Sequence, residues 1–151
     1  MEKVNVAVLG ATGAVGRTMI RILQERRFPM RSLKLLASPH SAGKVIDLGA
    51  KTGIVEEFSP AALKDVDLVF GAVDNDLAKE YAPLIRRSGA LFVDNSSAFR
   101  LDEDVPLVIP EINARDIRWH HGIVANPNCA TILAMMALSP ILKLTRVKRM
   151  I

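Results

Sequence analysis

Short apolar runs alternate with amphipathic helical segments from the beginning of the chain. The run VNVAVLG at residues 4–10 is almost continuously apolar and has the length of a strand, which is typical of a central parallel strand buried on both faces. Residues 14–27 then place apolar side chains at helical spacing, and the sequence FPM ends that segment. These two segments predict the first strand and helix of a β-α-β unit.

The same alternation continues over the next hundred residues. Strands are predicted at residues 33–38, at 67–73, in ALFVDNSS at 90–97 and in GIVAN at 122–126, with weaker edge strands within 44–58. Helices are predicted at residues 76–88, ended by Gly89, and at 129–142, with a shorter helical segment opened by Ser59 and Pro60. Residues 101–117 are predicted as loop, a short extended piece and one helical turn. This order predicts an α/β fold: a Rossmann-like, doubly wound, mostly parallel sheet with helices on both faces.

The last residues predict a division into two parts. The run TRVKRMI at residues 145–151 alternates as a strand does and stops without a turn, and a strand needs a partner sheet. We therefore expect a dinucleotide-binding domain at residues 1–127. Residues 128–151 are expected to form a helix and the first strand of a truncated second domain.

Composition limits the functional classes. Half of the 151 residues are apolar and a quarter are charged, without repeats or low-complexity tracts, so we expect a soluble globular protein. No secretion signal and no run of membrane-spanning length is predicted. The single cysteine fits a reducing compartment, and the cytoplasm is the expected location. The net charge of +4 is scattered, so neither nucleic acid nor a membrane is an expected partner, and no metal site is predicted.

The turn between the first strand and helix has a glycine spacing suited to a dinucleotide. GATGAVG places Gly10, Gly13 and Gly16 in a Gly-x-x-Gly-x-x-Gly pattern, a variant of the usual fingerprint. Glycines allow close approach of the backbone to a pyrophosphate, and the helix N-terminus offers that anion free N–H groups. The alternative is a glycine-rich connection that binds no ligand.

The loop after the second predicted strand bears on the choice of cofactor. An NAD-selective site carries an acidic residue there for the ribose hydroxyls, whereas LASPHSAGK has no carboxylate. Its Ser38, His40, Ser41 and Lys44 suit a 2′-phosphate. We therefore predict NADP as the preferred cofactor. The alternative is a polar surface loop of incidental composition.

Cys129 is the only cysteine, and it stands where NPNC enters the last apolar helix. A helix N-terminus stabilises a thiolate, and Asn126 and Asn128 supply turn residues and amide donors near the sulfur. Together with the dinucleotide turn, this arrangement favours oxidation or reduction of a carbonyl through a thioester. The alternative is a cysteine that only fills the core.

Five segments together resemble one enzyme family. They are GATGAVG at 10–16, LASPHSAGK at 36–44, FVDNSSAFR at 92–100, VPLVIPEIN at 105–113 and NPNCATI at 126–132. In order and spacing they resemble the N-terminal part of aspartate-semialdehyde dehydrogenases, over essentially the whole chain.

The resemblance implies a role for individual residues. Cys129 would attack aspartate semialdehyde to give a thiohemiacetal, and hydride would then pass to NADP. Phosphate would cleave the resulting thioester to give aspartyl phosphate. In biosynthesis the reaction would run in the opposite direction. Arg100 and Asn128 would bind phosphate or acyl oxygens. Asn95 and Ser96 would lie near the nicotinamide. The full set of predicted cofactor-binding residues is Gly10, Thr12, Gly13, Ala14, Val15, Gly16, Ser38, His40, Ser41, Asn95 and Ser96.

The sequence also departs from the family. His40 stands where many relatives have arginine, so a weaker and more pH-dependent grip on a 2′-phosphate is expected. Val73 and Asp74 stand in a cofactor loop where many relatives have Ser-Ala-Gly. The acid/base histidine and the dimer interface of the family belong to a second domain, whereas His120 and His121 match a surface segment. We therefore expect NADP binding with little or no turnover, and a homodimer or homotetramer for the complete protein.

Two other functions fit parts of the pattern. N-acetyl-glutamyl-phosphate reductases share the fold and the thioester chemistry, but they usually carry Asn-Pro-Gly-Cys, so Asn128 favours the first assignment. A non-catalytic nucleotide-binding module would also keep the fold. The joint presence of Cys129, Asn128 and Arg100 argues against that module.

Overall fold

In the part of the chain that the structure describes, seven strands and four helices follow one another in the order that the apolar pattern predicts. The structure, a computed structural model, describes residues 2–49 and 51–149. The strands are β1 Val4–Leu9, β2 Met30–Ala37, β3 Val45–Asp47, β4 Thr52–Glu57, β5 Leu68–Gly71, β6 Leu91–Asp94 and β7 Ile123–Ala125. The helices are α1 Ala14–Glu25, α2 Asn75–Ser88, α3 Pro110–Asn113 and α4 Cys129–Leu144, with 3₁₀ turns at Pro39–Ser41, Ala61–Leu63 and Ala114–Trp119.

All seven strands form one sheet with the order β3-β4-β2-β1-β5-β6-β7. Every neighbouring pair is parallel except β3 and β4, which are antiparallel. Without β3, this is the strand order of dinucleotide-binding doubly wound folds, in which ligands lie at the carboxyl ends of the strands where the order reverses. In this chain the order reverses between β1 and β5.

The core lies on both faces of β1, which explains why that strand is apolar at nearly every position. Val8 belongs to one apolar cluster together with Ile20 of α1. Leu9, the next residue, belongs to the opposite cluster together with Ile85 of α2. Helices on both faces of a mostly parallel sheet confirm the predicted fold class.

The structure corrects two predictions of local structure. Within residues 44–58 only β3 is an edge strand, because β4 pairs with β2 on its other side and buries Val55. The segment after Ser59 is a single 3₁₀ turn, although the Ser59 hydroxyl does accept a hydrogen bond from the Ala62 amide at 3.2 Å.

The strand predicted at the end of the chain is also absent from the described residues. Residues 145–149 are extended or irregular and pair with no strand, because a strand forms only where another supplies hydrogen-bond partners; residues 150 and 151 lie outside the described part. The division into residues 1–127 and 128–151 stays a prediction.

Helix α4 is apolar on all sides, yet Ser139 is its only buried residue in the described part of the chain. Leu133 is 73% exposed and Leu144 88%. Among the described residues, no helix combines the length and the apolar composition needed to cross a bilayer.

Candidate active site

The glycine turn brings three pieces of backbone into direct contact. Gly10 follows β1 with φ of 82°, and a Cβ there would lie 2.3 Å from the Ala72 carbonyl oxygen. A Cβ on Gly16 would lie 2.2 Å from the Gly10 carbonyl oxygen. Because no side chain fits at either position, the start of α1 and the loop after β5 each approach Gly10 as closely as backbone allows.

The N-terminus of α1 is open to a ligand. Its N-cap is Gly13, no side chain caps the helix, and no acidic residue occupies its first turn. Ala14 and Val15 are exposed there. The first N–H groups of a helix attract anions, so this end suits a phosphate.

A cleft of about 320 Å³ lies at the carboxyl ends of β1, β2 and β5. Its lining residues are Leu9, Gly10, Thr12, Gly13, Ala37, Ser38, Ala72, Val73, Asp74, Leu77 and Tyr81. Four of the predicted cofactor residues, Gly10, Thr12, Gly13 and Ser38, therefore lie together. Leu77 and Tyr81 were not predicted, because they enter the cleft from α2, which only the packing of that helix reveals.

The loop after β2 is joined to the glycine turn through Ser41. That side chain is 8% exposed, and its hydroxyl accepts hydrogen bonds from Thr12 Oγ1 at 3.5 Å and from Lys44 Nζ at 3.2 Å. His40 is exposed and is not among the residues that line the cleft. The structure thus brings Ser38, Ser41 and Lys44 toward the turn and leaves His40 at its margin.

Asp74 has a structural role in the loop where the sequence departs from the family. It is the N-cap of α2, and its carboxylate accepts hydrogen bonds from the amides of Asp76 and Leu77 at 3.1 and 3.0 Å. One turn further along α2, Tyr81 stacks on Phe58 with 4.0 Å between ring centroids. Burial raises the pKa of the Tyr81 hydroxyl, and the carboxylates of Glu80, Glu57 and Asp74 raise it further.

Cys129 occupies the first position of α4 and is exposed to solvent. Asn128 is the N-cap, and its side-chain oxygen accepts a hydrogen bond from the Ala130 amide at 2.9 Å. The Cys129 sulfur lies 3.9 Å from the same oxygen. The predicted helix start is confirmed, and Cys129 does not fill the core formed by the described residues.

Arg100 is held in place by two main-chain carbonyls. Its Nε donates to the Asn126 oxygen at 2.9 Å, and its Nη2 donates to the Asn95 oxygen at 3.1 Å. Asn126 Nδ2 also donates to Asn95 Oδ1 at 2.7 Å. These bonds join the loops after β6 and β7, and Asn126 lies only three residues before Cys129.

Two loop residues predicted near the nicotinamide are placed differently from each other. Asn95 lines a second, mostly apolar cavity of about 240 Å³ with Asn126 and side chains of α1, β5 and β6. Ser96 is 9% exposed and donates its hydroxyl to the carboxylate of Asp94 at 2.6 Å. Burial raises the pKa of the Asp94 carboxyl, although the Ser96 hydrogen bonds and the Arg100 charge act in the opposite direction. The sequence offered no signal for Asp94 beyond its position at the end of an apolar run.

The two histidines before β7 are not among the residues that line the cleft. His120 and His121 are exposed and immediately precede β7, as the surface assignment predicted. The described residues contain no group of three or more His, Cys, Asp or Glu side chains arranged to hold a metal ion.

Comparison with known protein families shows the family to which this chain belongs. A family model described as semialdehyde dehydrogenase, NAD binding domain, matches residues 5–120, which include the glycine turn and Arg100. The chain belongs to the semialdehyde dehydrogenase family. The resemblance to aspartate-semialdehyde dehydrogenases is confirmed by relatives that carry that name.

Relatives with that enzyme name match nearly all of the chain. An aspartate-semialdehyde dehydrogenase of Prochlorococcus marinus is 43% identical over 146 residues, which are 97% of this chain and 43% of the relative. The structure of aspartate semialdehyde dehydrogenase II from Vibrio cholerae complexed with ASA is 41% identical with a TM-score of 0.87, covering 94% of this chain and 47% of that chain. The Candida albicans enzyme with NADP is 26% identical with a TM-score of 0.79, over 94% and 47%. The chain thus spans less than half the length of these semialdehyde dehydrogenases.

Proposed function

We propose that the chain forms the cofactor-binding and nucleophile-bearing part of an NADP-dependent aspartate-semialdehyde dehydrogenase. The observation that carries the proposal is an exposed Cys129 at the start of α4, with Arg100 bonded to a carbonyl three residues before it. The names of the relatives support aspartate semialdehyde as the substrate. The substrates and the subunit contacts of the complete protein are part of this proposal.

The residues around the cleft fit a phosphorylated dinucleotide. The backbone contact between Gly10 and Gly16 and the uncapped N-terminus of α1 suit a pyrophosphate. Ser38 and the Ser41–Lys44 pair suit a 2′-phosphate, and β2 ends without a carboxylate of its own. When bound, NADPH would supply the hydride that reduces the acyl group. A Candida albicans relative with NADP supports this choice.

The side chains at the start of α4 would perform the covalent step. The Cys129 sulfur, as a thiolate, would bond to the aspartyl carbonyl carbon while the bond from that carbon to the phosphate oxygen breaks. The Arg100 guanidinium makes no other hydrogen bond to described residues, so its remaining edge is available to the departing phosphate. Asn128 uses its oxygen as the helix cap, which leaves its NH₂ group available to the acyl oxygen.

Proton transfer is the step that the described residues do not supply. The sequence has three histidines, and none of them lies in α4 or in the Asn-Pro-Asn turn before it: His40 is in the loop after β2, and His120 and His121 precede β7. Loss of a positioned acid or base costs about 10²–10⁴-fold in rate. We therefore expect the 151 residues to bind cofactor and form a thioester while turning over very slowly.

The thioester gives a direct experiment. The chain is incubated with aspartyl phosphate, and the mass of the intact protein is measured; one added aspartyl group is expected, and Cys129→Ala is expected to prevent it. N-acetyl-glutamyl phosphate serves as the comparison substrate and is expected to react more slowly. A chain whose Cys129 reacts with iodoacetamide but never with aspartyl phosphate would contradict the proposed function.

A further inference from the structure

Asp94 is a buried carboxylate for which the structure makes room. It ends β6 with 0% of its surface exposed, and burial of such a group is costly unless its oxygens are hydrogen-bonded. Both oxygens are satisfied by one residue, since Ser96 donates its amide to Oδ1 at 3.2 Å and its hydroxyl to Oδ2 at 2.6 Å. On the neighbouring strand, a Cβ at Gly71 would lie 3.3 Å from Oδ1, so the small residue leaves space for the carboxylate.

The bonds to Asp94 set the course of the following loop. The Ser96 hydroxyl that donates to Asp94 also accepts from the Ala98 amide at 3.1 Å. The chain then turns from residue 96 to residue 101, with the Arg100 amide facing the Ser97 carbonyl at 3.5 Å. The start of the Arg100 side chain is therefore fixed by a short sequence of bonds that begins at the Asp94 carboxylate.

The far end of Arg100 depends on the same residue. The carbonyl that accepts from Arg100 Nε belongs to Asn126, and the Asn126 amide donates to the Asp94 main-chain oxygen at 2.8 Å. The carbonyl that accepts from Nη2 belongs to Asn95, the residue directly after Asp94. Both carbonyls that accept from the guanidinium thus belong to residues linked to Asp94, Asn95 by a peptide bond and Asn126 by a main-chain hydrogen bond.

We propose that Asp94 is a positioning residue for Arg100. The buried carboxylate of Asp94 holds the loop so that the unbonded edge of the Arg100 guanidinium is presented to an anion. The proposal rests on the anion-binding role assigned to Arg100 in the proposed function. Asp94 itself touches neither substrate nor cofactor in this proposal.

Electrostatics gives the arrangement a second effect. The charged group that acts on the Asp94 carboxyl is Arg100, and its attraction opposes the rise in pKa caused by burial. Protonation of Asp94 would remove a negative charge near the guanidinium and one acceptor of the Ser96 hydroxyl. Anion binding at Arg100 is therefore expected to depend on the ionisation of Asp94.

Hydrogen exchange of Arg100 Nε–H tests the positioning without any ligand. The resonance is observed in ¹H–¹⁵N spectra of the 151-residue chain and assigned by its loss in Arg100→Lys. We expect the exchange of Arg100 Nε–H with water to be about tenfold faster in Asp94→Asn and also in Ser96→Ala, a variant that keeps the carboxylate. The control is Asp104→Asn, which changes an exposed aspartate of the same loop and is expected to leave the exchange rate unchanged. Unchanged exchange in a folded Asp94→Asn or Ser96→Ala chain would overturn the proposal.

Anion titration separates this proposal from the function on which it rests. Inorganic sulfate is used because it keeps its charge while a carboxyl group titrates, so that only the protein changes its protonation with pH. In the wild type, we expect the Arg100 Nε–H resonance to shift with sulfate and the affinity to weaken at low pH, and in Asp94→Asn we expect a weak affinity at every pH. If the wild-type resonance shifts with neither sulfate nor phosphate, the anion-binding role of Arg100 is contradicted. If it shifts in both chains with the same affinity and the same pH profile, only the positioning by Asp94 is contradicted.

Discussion

Gly16 in the first turn of α1 rests directly on the carbonyl group of Gly10. A Cβ at residue 16 would lie 2.2 Å from that oxygen, well inside contact distance. The helix therefore starts where it does because residue 16 has no side chain, and the open N-terminus above the cleft depends on this contact.

Gly16→Ala is expected to lower the free energy of unfolding by about 1–3 kcal/mol, because the backbone of the turn has to move away from the added methyl group. Gly13→Ala is the matched control, since a Cβ there would lie 3.5 Å from the same oxygen. Urea denaturation measures both variants. Equal losses of stability in the two would contradict the tight contact.

Arg27 occupies a backbone conformation that favours glycine. Its φ is 47°, and it follows α1 at the point where the Phe28 amide donates back to the Leu23 oxygen at 2.9 Å. Arg27→Gly is therefore expected to raise the free energy of unfolding by about 0.5–1 kcal/mol. Arg26→Gly removes the same charge at a residue with φ of −82° and is expected to give no gain. Thermal or urea unfolding distinguishes them, and a loss of stability in Arg27→Gly would contradict the strain.

Glu57 places a carboxylate near the cofactor cleft that the sequence pattern does not reveal. The residue is in register with Ala37 at the end of β2, and its charge contributes to the raised pKa of Tyr81, after burial and Glu80. We expect Glu57→Gln to tighten NADPH binding about two- to threefold, because one unit of repulsion from the 2′-phosphate is lost, and to leave NADH nearly unchanged.

Calorimetric titration of the two cofactors measures this effect, and Glu56→Gln is the matched control. Glu56 is the exposed neighbour on the same strand, and its charge has no resolved effect on Tyr81. An equal change for NADPH and NADH would show that Glu57 acts on the fold rather than on the 2′-phosphate.

The buried Asp94 makes a prediction about stability and pH. Burial raises the pKa of its carboxyl above the ordinary 3.8. At a pH between the ordinary pKa of the unfolded chain and the raised pKa of the folded chain, the folded chain holds a proton that the unfolded chain has released. This group therefore lowers the free energy of unfolding as the pH rises from the ordinary pKa to the raised one. Asp94→Asn removes the dependence, and the stability of the variant relative to wild type is expected to increase from about pH 3 to about pH 7. Urea denaturation across this range checks the sign, and a flat or falling difference would contradict it.

Features set by neighbouring residues were predicted well from the sequence. The strand, glycine turn and helix at the start of the chain lie within a few residues of the predicted positions, because apolar spacing and glycine act locally. Cys129 was correctly placed at a helix start, since Asn128 is a natural N-cap that precedes an apolar run.

Features set by packing were not predicted. Tyr81 reaches the cleft only because α2 packs where Leu9 of β1 also lines it, and Asp94 matters because its carboxylate is enclosed between β5 and the next loop. The position of β4 inside the sheet likewise depends on which strands pair across long stretches of chain. Apolar periodicity records burial but not the identity of the neighbour.

The missing side chain of Gly71 also restricts how this part of the fold can change over time. A Cβ at residue 71 would lie 2.6 Å from Cε2 of Phe92 as well as close to Asp94. Enlarging residue 71 alone produces a clash, and shrinking residue 92 alone leaves a cavity, so each single step is destabilising while the double change is tolerable. Sequences that share this fold should therefore differ at both positions or at neither, and residues 71 and 92 should covary.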